Sequence, residues 1–307
     1  MLEKFFLRRP VPSDADAVLE LMRRTDVRDV GFADTDMPDL LHDWERCNPA
    51  RDAWLAIDAR GQVRGYGACL PWDAGYRLTI YDDVGTEQDD LFLGLLILCE
   101  KRAAALIQDT RQETKDSIAA HVSITSAYQA RVLEEAGFSQ SRFIFNMHMG
   151  LAGELPAADL PDDISIRAAV KGQDERAIYD LIETSFDWRE RQPQTYEEWA
   201  SLMVRPELYD ETLWFLAEQD GELIGACLGV PYEQIGWVRQ LAVRKGQRGQ
   251  GVGHALLLHA FRAFQERGYL KSGLAVESEN PNAFRFYEKT GMTKAVHLVE
   301  YIKNVPI

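Results

Sequence analysis

Six consecutive residues, Arg248-Gly249-Gln250-Gly251-Val252-Gly253, combine a fixed positive charge with three glycines at alternate positions. Glycine permits close approach of the main chain to a ligand and left-handed backbone that other residues rarely adopt. A helical pattern, ALLLHAFRAFQERG (255–268), follows at once. The first N–H groups of a helix have no intrahelical acceptors, so this turn suits an anion: donors, helix dipole and Arg248 act together. Taken alone, the same glycines also fit a purely steric strand-to-helix turn. The P-loop spacing GxxxxGK[ST] is absent, and a dinucleotide GxGxxG counted from Gly251 would need glycine at Leu256.

A second group of residues follows one strand later. Leu274-Ala275-Val276-Glu277 reads as a strand, and Asn280-Pro281 supplies an N-cap and a first-turn proline to the helix NAFRFYEKTG. Tyr287 follows Asn280 at about two helical turns and offers a proton-donating hydroxyl; the competing role is packing beside Phe284 and Phe286. Glu277 and Glu233 are the candidate bases by residue type, although a water relay would serve as well. His254 and His259 fall on the loop helix and read as structural or cofactor-adjacent, and Cys227 reads as core.

The elements that must position these groups are written twice. Phe5-Phe6-Leu7-Arg8 with the helical SDADAVLELMRRT matches Ile164-Ser165-Ile166-Arg167 with GQDERAIYDLIETSF. The hairpin pattern from Trp54 to Leu70, turning at Gly61, matches that from Trp214 to Gly229, turning at Gly221. EEAGF (134–138) and EKTGM (288–292) close the two copies, and the separation between matching segments stays nearly constant. Each copy reads β-α-(α)-β-β-β-α-β-α-β, an α/β (α+β) arrangement with a mixed, mostly antiparallel twisted sheet flanked by helices. Met37–Glu45 and Tyr196–Met203 supply the helices after the first strand. The proline-rich GLAGELPAADLPDD separates the copies, giving domains 1–149 and 164–307 with a linker at 150–163.

Composition narrows the partners. A formal charge of −15 with no Lys/Arg block argues against nucleic acid, and the acidic balance fits either a cationic substrate or plain solubility. No apolar run is long enough to span a membrane, and the first residues lack a signal-peptide core. Cys47, Cys69, Cys99 and Cys227 show no CxxC pairing, so a reducing, cytoplasmic setting without structural zinc or other bound metal is expected. Oligomeric state is not legible.

The two motifs together resemble the GNAT acetyltransferases. The family's phosphate-loop pattern [QR]xxGx[GA] is met by Arg248, Gly251 and Gly253, and its later NxxAxxxY pattern by Asn280, Ala283 and Tyr287. The resemblance implies acetyl-CoA as cofactor. Leu241, Ala242 and Val243 would pair with the pantetheine arm along a splayed strand. Arg248, Gly249, Gln250, Gly251, Val252 and Gly253, with His254 next, would hold the pyrophosphate. Asn280 would face the pantetheine, Arg285 would reach the cofactor, and Tyr287 would protonate the departing thiolate. The implied reaction is acetyl transfer to a primary amine of a small molecule or peptide; the alternative is a non-catalytic acyl-CoA-binding protein that engages a partner. Tandem organisation is similar to double GNAT proteins of the mycothiol-synthase kind.

The first copy departs from the pattern. With Val84 set against Val243, Asp89 replaces Arg248 and Phe92 replaces Gly251; Ser126 replaces Asn280 and Leu133 replaces Tyr287. A carboxylate repels a pyrophosphate and a phenyl ring blocks close backbone approach, so the first copy is expected not to bind acetyl-CoA in the family's manner.

Overall fold

The computed structural model describes all residues except 1, 3, 32, 34, 73–74, 84–89, 111–115, 158, 186–194, 205–208, 278–280 and 306–307. The expected element order appears twice. The first pass is β1 (Phe6–Arg8), α1 (Ala15–Val30), α2 (Met37–Arg46), α3 (Pro49–Asp52), β2 (Ala53–Ile57), β3 (Val63–Trp72), β4 (Gly75–Asp82), α4 (Leu91–Thr110), β5 (Ser117–Ser123), α5 (Ala127–Glu135) and β6 (Ser139–Gly150). The second is β7 (Ile164–Ala168), α6 (Glu175–Ser185), α7 (Tyr196–Met203), β8 (Trp214–Gln219), β9 (Glu222–Pro231), β10 (Gly236–Val243), α8 (Val252–Glu266), β11 (Lys271–Glu277), α9 (Pro281–Lys289) and β12 (Thr293–Asn304). The described residues of 151–163 carry no helix or strand.

The helices after the first strand of each copy form because their ends are capped. The Asp36 side chain accepts from the Asp39 N–H at 3.0 Å to open α2. Thr195 and Glu198 make a reciprocal capping box at α7, with Thr195 N–H donating to Glu198 Oε2 at 2.8 Å.

Two compact units result, and they do not follow chain order to the end. The first comprises 1–145, 277–279 and 296–307; the second comprises 146–276 and 280–295. The sequence pattern suggests a division at 150–163, yet β6 passes from the first unit to the second after Phe145, and β12 passes back after Ala295. Strands of the first unit run β1-β2-β3-β4-β5-β12-β6; those of the second run β6-β11-β10-β9-β8-β7. Only β4–β5 and β10–β11 are parallel among the pairings with described registers.

The same packing devices recur in both units. In the first, a Cβ at Gly65 would lie 2.9 Å from Leu95 Cδ1, and in the second a Cβ at Gly225 would lie 2.9 Å from Leu256 Cδ1. Bare backbone at these strand positions lets α4 and α8 press onto the sheets, burying Leu95, Leu96, Cys99 and Ile107 or Leu256, Leu257, Phe261 and Phe264. Arg8 donates to Asp14 at 2.6 Å and Arg167 to Asp174 at 2.7 Å, while Val11 N–H and Val170 N–H each donate to the same carboxylate at 2.7 Å. Each arginine holds the aspartate well below the usual carboxylate range through its hydrogen bond. Two copies of one network at equivalent places are what a duplicated unit leaves behind.

Candidate functional site

The loop, the edge of β10 and α9 meet in the second unit. β10 pairs antiparallel with β9 as far as Val243–Gly225, with one irregularity between Val238 and Gln240 that makes Arg239 the extra residue of a β-bulge. On its other side β10 pairs with β11 only at Gly236–Ser272 and Trp237–Gly273. Beyond Trp237 the strands part, and the β11-facing backbone of Leu241, Ala242 and Val243 has no strand partner among the described residues. An extended, amide-bearing ligand fits such an edge, because it supplies the missing ladder hydrogen bonds.

After β10 the chain makes a short 3-10 turn at Lys245–Gln247 and enters α8 at Val252. Gly249 (φ 82°) and Gly251 (φ 85°) are both left-handed, which accounts for two of the three loop glycines. The third has a different reason: a Cβ at Gly253 would meet Phe286 Cζ at 3.3 Å and Val243 Cγ2 at 3.5 Å. Gly251 caps α8 without any side-chain hydrogen bond, and Val252 is buried as the anchor of the first turn. The helix therefore offers its first N–H groups to an outside acceptor. Arg248 is exposed and donates to Val243 O at 3.1 Å and to Ser185 O at 2.5 Å, so it also ties the loop to the ends of β10 and α6. Gln250 donates to Gln247 Oε1 at 2.9 Å within the turn, and His254 is half-buried in the first turn of α8.

Because Phe286 lies against Gly253, α9 is docked on the start of α8, which places Tyr287 beside the loop. Tyr287 is half-buried, its ring 5.2 Å from that of Phe286. Burial, with a smaller contribution from Cys227, pushes its phenol well above the ordinary tyrosine range, so it stays protonated and able to donate at neutral pH. Arg285 is exposed on α9. Asn280 lies outside the described residues, as does the side chain of Glu277; Glu233 is exposed in the turn between β9 and β10. His259 Nδ1 donates to Ala255 O at 2.8 Å and the ring packs on Phe215, and Cys227 is buried, its thiol pushed up by burial.

The sequence reading passed over Arg239, Gln240 and Trp199. Gln240 Oε1 accepts from Trp199 Nε1 at 3.0 Å, fixing α7 against β10. The signal was present in the strand itself: WVRQLAV places two polar residues side by side, which breaks strict alternation as a bulge does.

In the first unit the corresponding place is differently built, and its register differs from the sequence alignment by two residues. Gly65 pairs with Asp82 as Gly225 pairs with Val243, so Asp82, not Val84, stands at the position of Val243. Counting to the helix starts at Leu91 and Val252 then matches Asp90 with Gly251 and Phe92 with Gly253. Asp90 indeed adopts left-handed backbone (φ 49°), as Gly251 does. The strand ends are hidden in YDDVGTEQDD, where nothing local marks the last ladder pair. Val84 and Asp89 lie outside the described residues. The β3–β4 ladder runs from Gly65–Asp82 to Trp72–Gly75 without a bulge. Phe92 is buried edge-on to Tyr128 of α5, ring centroids 6.5 Å apart, and Leu133 is fully buried where α9 carries Tyr287. Ser126 precedes α5 without a side-chain cap.

The parting ends of β4 and β5 are bridged by the chain's own groups. Gln129 Nε2 donates to the buried Asp82 Oδ1 at 3.0 Å, Arg28 Nη1 donates to Asp82 O at 2.7 Å, and Ser123 Oγ donates to Asp29 O at 2.9 Å. The last residues of α1 and Gln129 of α5 thus tie the ends of β4 and β5, whereas at the matching end of β10 Val243 O accepts from Arg248 of the loop.

Comparison with known proteins follows the same division. The acetyltransferase (GNAT) family profile matches residues 176–292. A GCN5-related N-acetyltransferase from Sphaerobacter thermophilus superposes with a TM-score of 0.84 at 28% identity, over 99% of this chain and 97% of that one. A tandem GNAT protein from the clavulanic acid biosynthesis pathway gives a TM-score of 0.73 over 99% of each chain, at 16% identity, which speaks for the fold. The chain has the tandem GNAT fold, with the family match in residues 176–292. Among curated relatives of this tandem GNAT protein, the mycothiol acetyltransferase of Amycolatopsis mediterranei is 31% identical over 177 residues, 54% of this chain and 59% of that protein. That of Thermomonospora curvata is 29% identical over 205 residues, 66% and 69% of the two chains. The chain spans less than two thirds of the first of these relatives. Among the described residues no helix of the tandem GNAT protein is long and apolar enough to cross a membrane, and Cys47, Cys69, Cys99 and Cys227 are free thiols.

Proposed function

We propose that the second unit transfers acetyl from acetyl-CoA to a primary amine of a small molecule or peptide, and that the first unit is a GNAT fold without a coenzyme site. When bound, acetyl-CoA supplies a thioester, whose carbonyl carbon bonds to the amine nitrogen as its C–S bond breaks. The backbone of Gly249 to Gly253, the opening turn of α8 and Arg248 suit the diphosphate. The free edge at Leu241, Ala242 and Val243 suits the amides of the pantetheine arm and presents N–H groups to polarise a carbonyl. Tyr287 holds the proton that a departing thiolate needs, and the amine's surplus proton leaves through water. The curated relatives of the chain, named as mycothiol acetyltransferases, support acetyl transfer.

The observation that carries this reading is the contrast between two copies of one fold. β10 is bulged, parts early from β11 and runs into a glycine loop; β4 is unbulged, with its parting end tied by Asp82, Gln129 and Arg28. Calorimetric titration with acetyl-CoA should give one site per chain, abolished by Gly253→Phe together with Arg248→Asp. Two sites would overturn the assignment of the first unit. Thiol release across an amine library separates an enzyme from a binding module, since saturable binding without turnover on any amine refutes catalysis.

A further inference from the structure

Arg239, the extra residue at the β10 bulge, is an arginine without a partner. Its Nη1 is buried and makes no hydrogen bond, and no carboxylate lies within ion-pairing distance of it among the described residues. Several other half-buried arginines are ion-paired, Arg8 with Asp14, Arg64 with Asp58 and Asp83, Arg102 with Asp52, and Arg142 with Glu300, while Arg9 and Arg262 donate to the carbonyls of Ala53 and Pro156. In a chain with 49 acidic against 34 basic residues, a half-buried cation left alone points to a counter-ion that the protein does not itself carry.

Its direction follows from the strand. A Cβ at Gly236 would run into the Phe264 ring of α8, so Gly236 faces α8, and alternation turns Trp237 and Arg239 to the other face. Gln240 shares that face, since it holds Trp199 of α7. The surroundings are rich in aromatic rings: Trp237 packs edge-on to His148, and Trp199 stacks on Tyr196 with ring centroids 6.1 Å apart, Arg176 lying over the Tyr196 ring at 5.2 Å. Burial, and then the charge of Lys271, depress His148 to about 4, so it adds no positive charge near neutrality. Arg239 therefore stands as a cation without an ion-pair partner among the described residues, on a face bordering the open edge of β10, where an acceptor approaching a carbonyl beside Leu241 would lie.

We infer that Arg239 binds a carboxylate on the acceptor, which makes the acceptor class an amine that also carries a carboxylate. The inference rests on the acetyl-transfer reading. The planar guanidinium matches a carboxylate through paired N–H donors and, held at a bulge, fixes the distance between that anion and the attacking nitrogen.

The test uses paired acceptors that differ only in the anion: glycine with glycinamide, β-alanine with its amide, and phenylalanine with its amide. In the wild-type protein kcat/KM should favour at least one carboxylate over its amide, and Arg239→Gln should erase that preference, a loss of about 30-fold or more for a desolvated charge pair. Arg239→Lys, which keeps the charge without the fork, should retain part of it. Equal or greater use of the amides by the wild-type protein overturns the inference while leaving acetyl transfer standing. A second arm does not need turnover: with coenzyme A present, N-acetylglycine and N-acetyl-β-alanine are titrated against their amides. Preference for the carboxylates supports the inference even if no amine is acetylated, a result that would sink the transfer reading alone. Equal binding of carboxylates and amides by the wild-type protein, or a carboxylate preference that Arg239→Gln leaves unchanged, overturns it.

Discussion

Removing the Tyr287 hydroxyl separates chemistry from folding unusually well. Among the described residues nothing hydrogen-bonds to that hydroxyl, and the ring's contact with Phe286 survives in phenylalanine. Tyr287→Phe thus strands no buried partner and opens no cavity, so its stability should stay within about 0.5 kcal/mol of wild type. The hydroxyl's proton is another matter. Burial holds it on the oxygen through neutral pH, and loss of a positioned general acid slows the chemical step by roughly 10²- to 10⁴-fold. Thiol release at saturating acetyl-CoA and amine reads kcat, a thermal melt reads stability, and titration reads cofactor affinity. The expected pattern is a collapsed kcat with an unchanged melt and an unchanged isotherm. A kcat within about threefold of wild type would show that solvent protonates the thiolate and that Tyr287 is a packing residue, since general acid catalysis by a positioned group is worth far more.

Other outcomes follow from the packing. Gly236→Ala drives a methyl into the Phe264 ring and should cost about 1–3 kcal/mol in denaturant unfolding, whereas Gly246→Ala, where a Cβ meets nothing within 4 Å, should cost little. Gln129→Leu removes one donor from the buried Asp82 carboxylate, which Arg28 Nη2 also approaches at 3.9 Å, and should destabilise the first unit by about 1–3 kcal/mol, with acetyl-CoA binding retained below the melt. His148 is depressed from 6.5 to about 4 in the folded protein, so the unfolded chain takes up its proton first as pH falls. Its contribution is present above about pH 6.5 and lost between there and pH 4, and His148→Phe should flatten that part of the melting profile relative to wild type.

Much of the second copy was legible because its signals are local. Gly249 and Gly251 need left-handed backbone, Pro281 starts a helix, and Tyr287 follows by helical count. Other features depend on what lies across space. Gly253 is a glycine because of Phe286, a residue from another helix. The two-residue offset in the first copy arose because YDDVG gives no sign of where β4 leaves its ladder; Asp82 is recognisable as the last pair only once Gly65 stands opposite it. Arg239 looks like any strand arginine, and its lack of a partner belongs to the folded arrangement of α7, β10 and β11. The exchange of final strands was equally hidden, since a β pattern such as VHLVEY states that a segment is extended and not which neighbour it joins.

That exchange sets an order on synthesis. Ala120 of β5 pairs with Tyr301 of β12, so the first unit cannot close its sheet until the end of the second copy has left the ribosome. The first copy must wait, with an unpaired β5 edge, while the second is made. The same pairing means that neither copy can be cut free with all of its strands, and loss of residues 298–304 would damage the unit that lies first in the sequence.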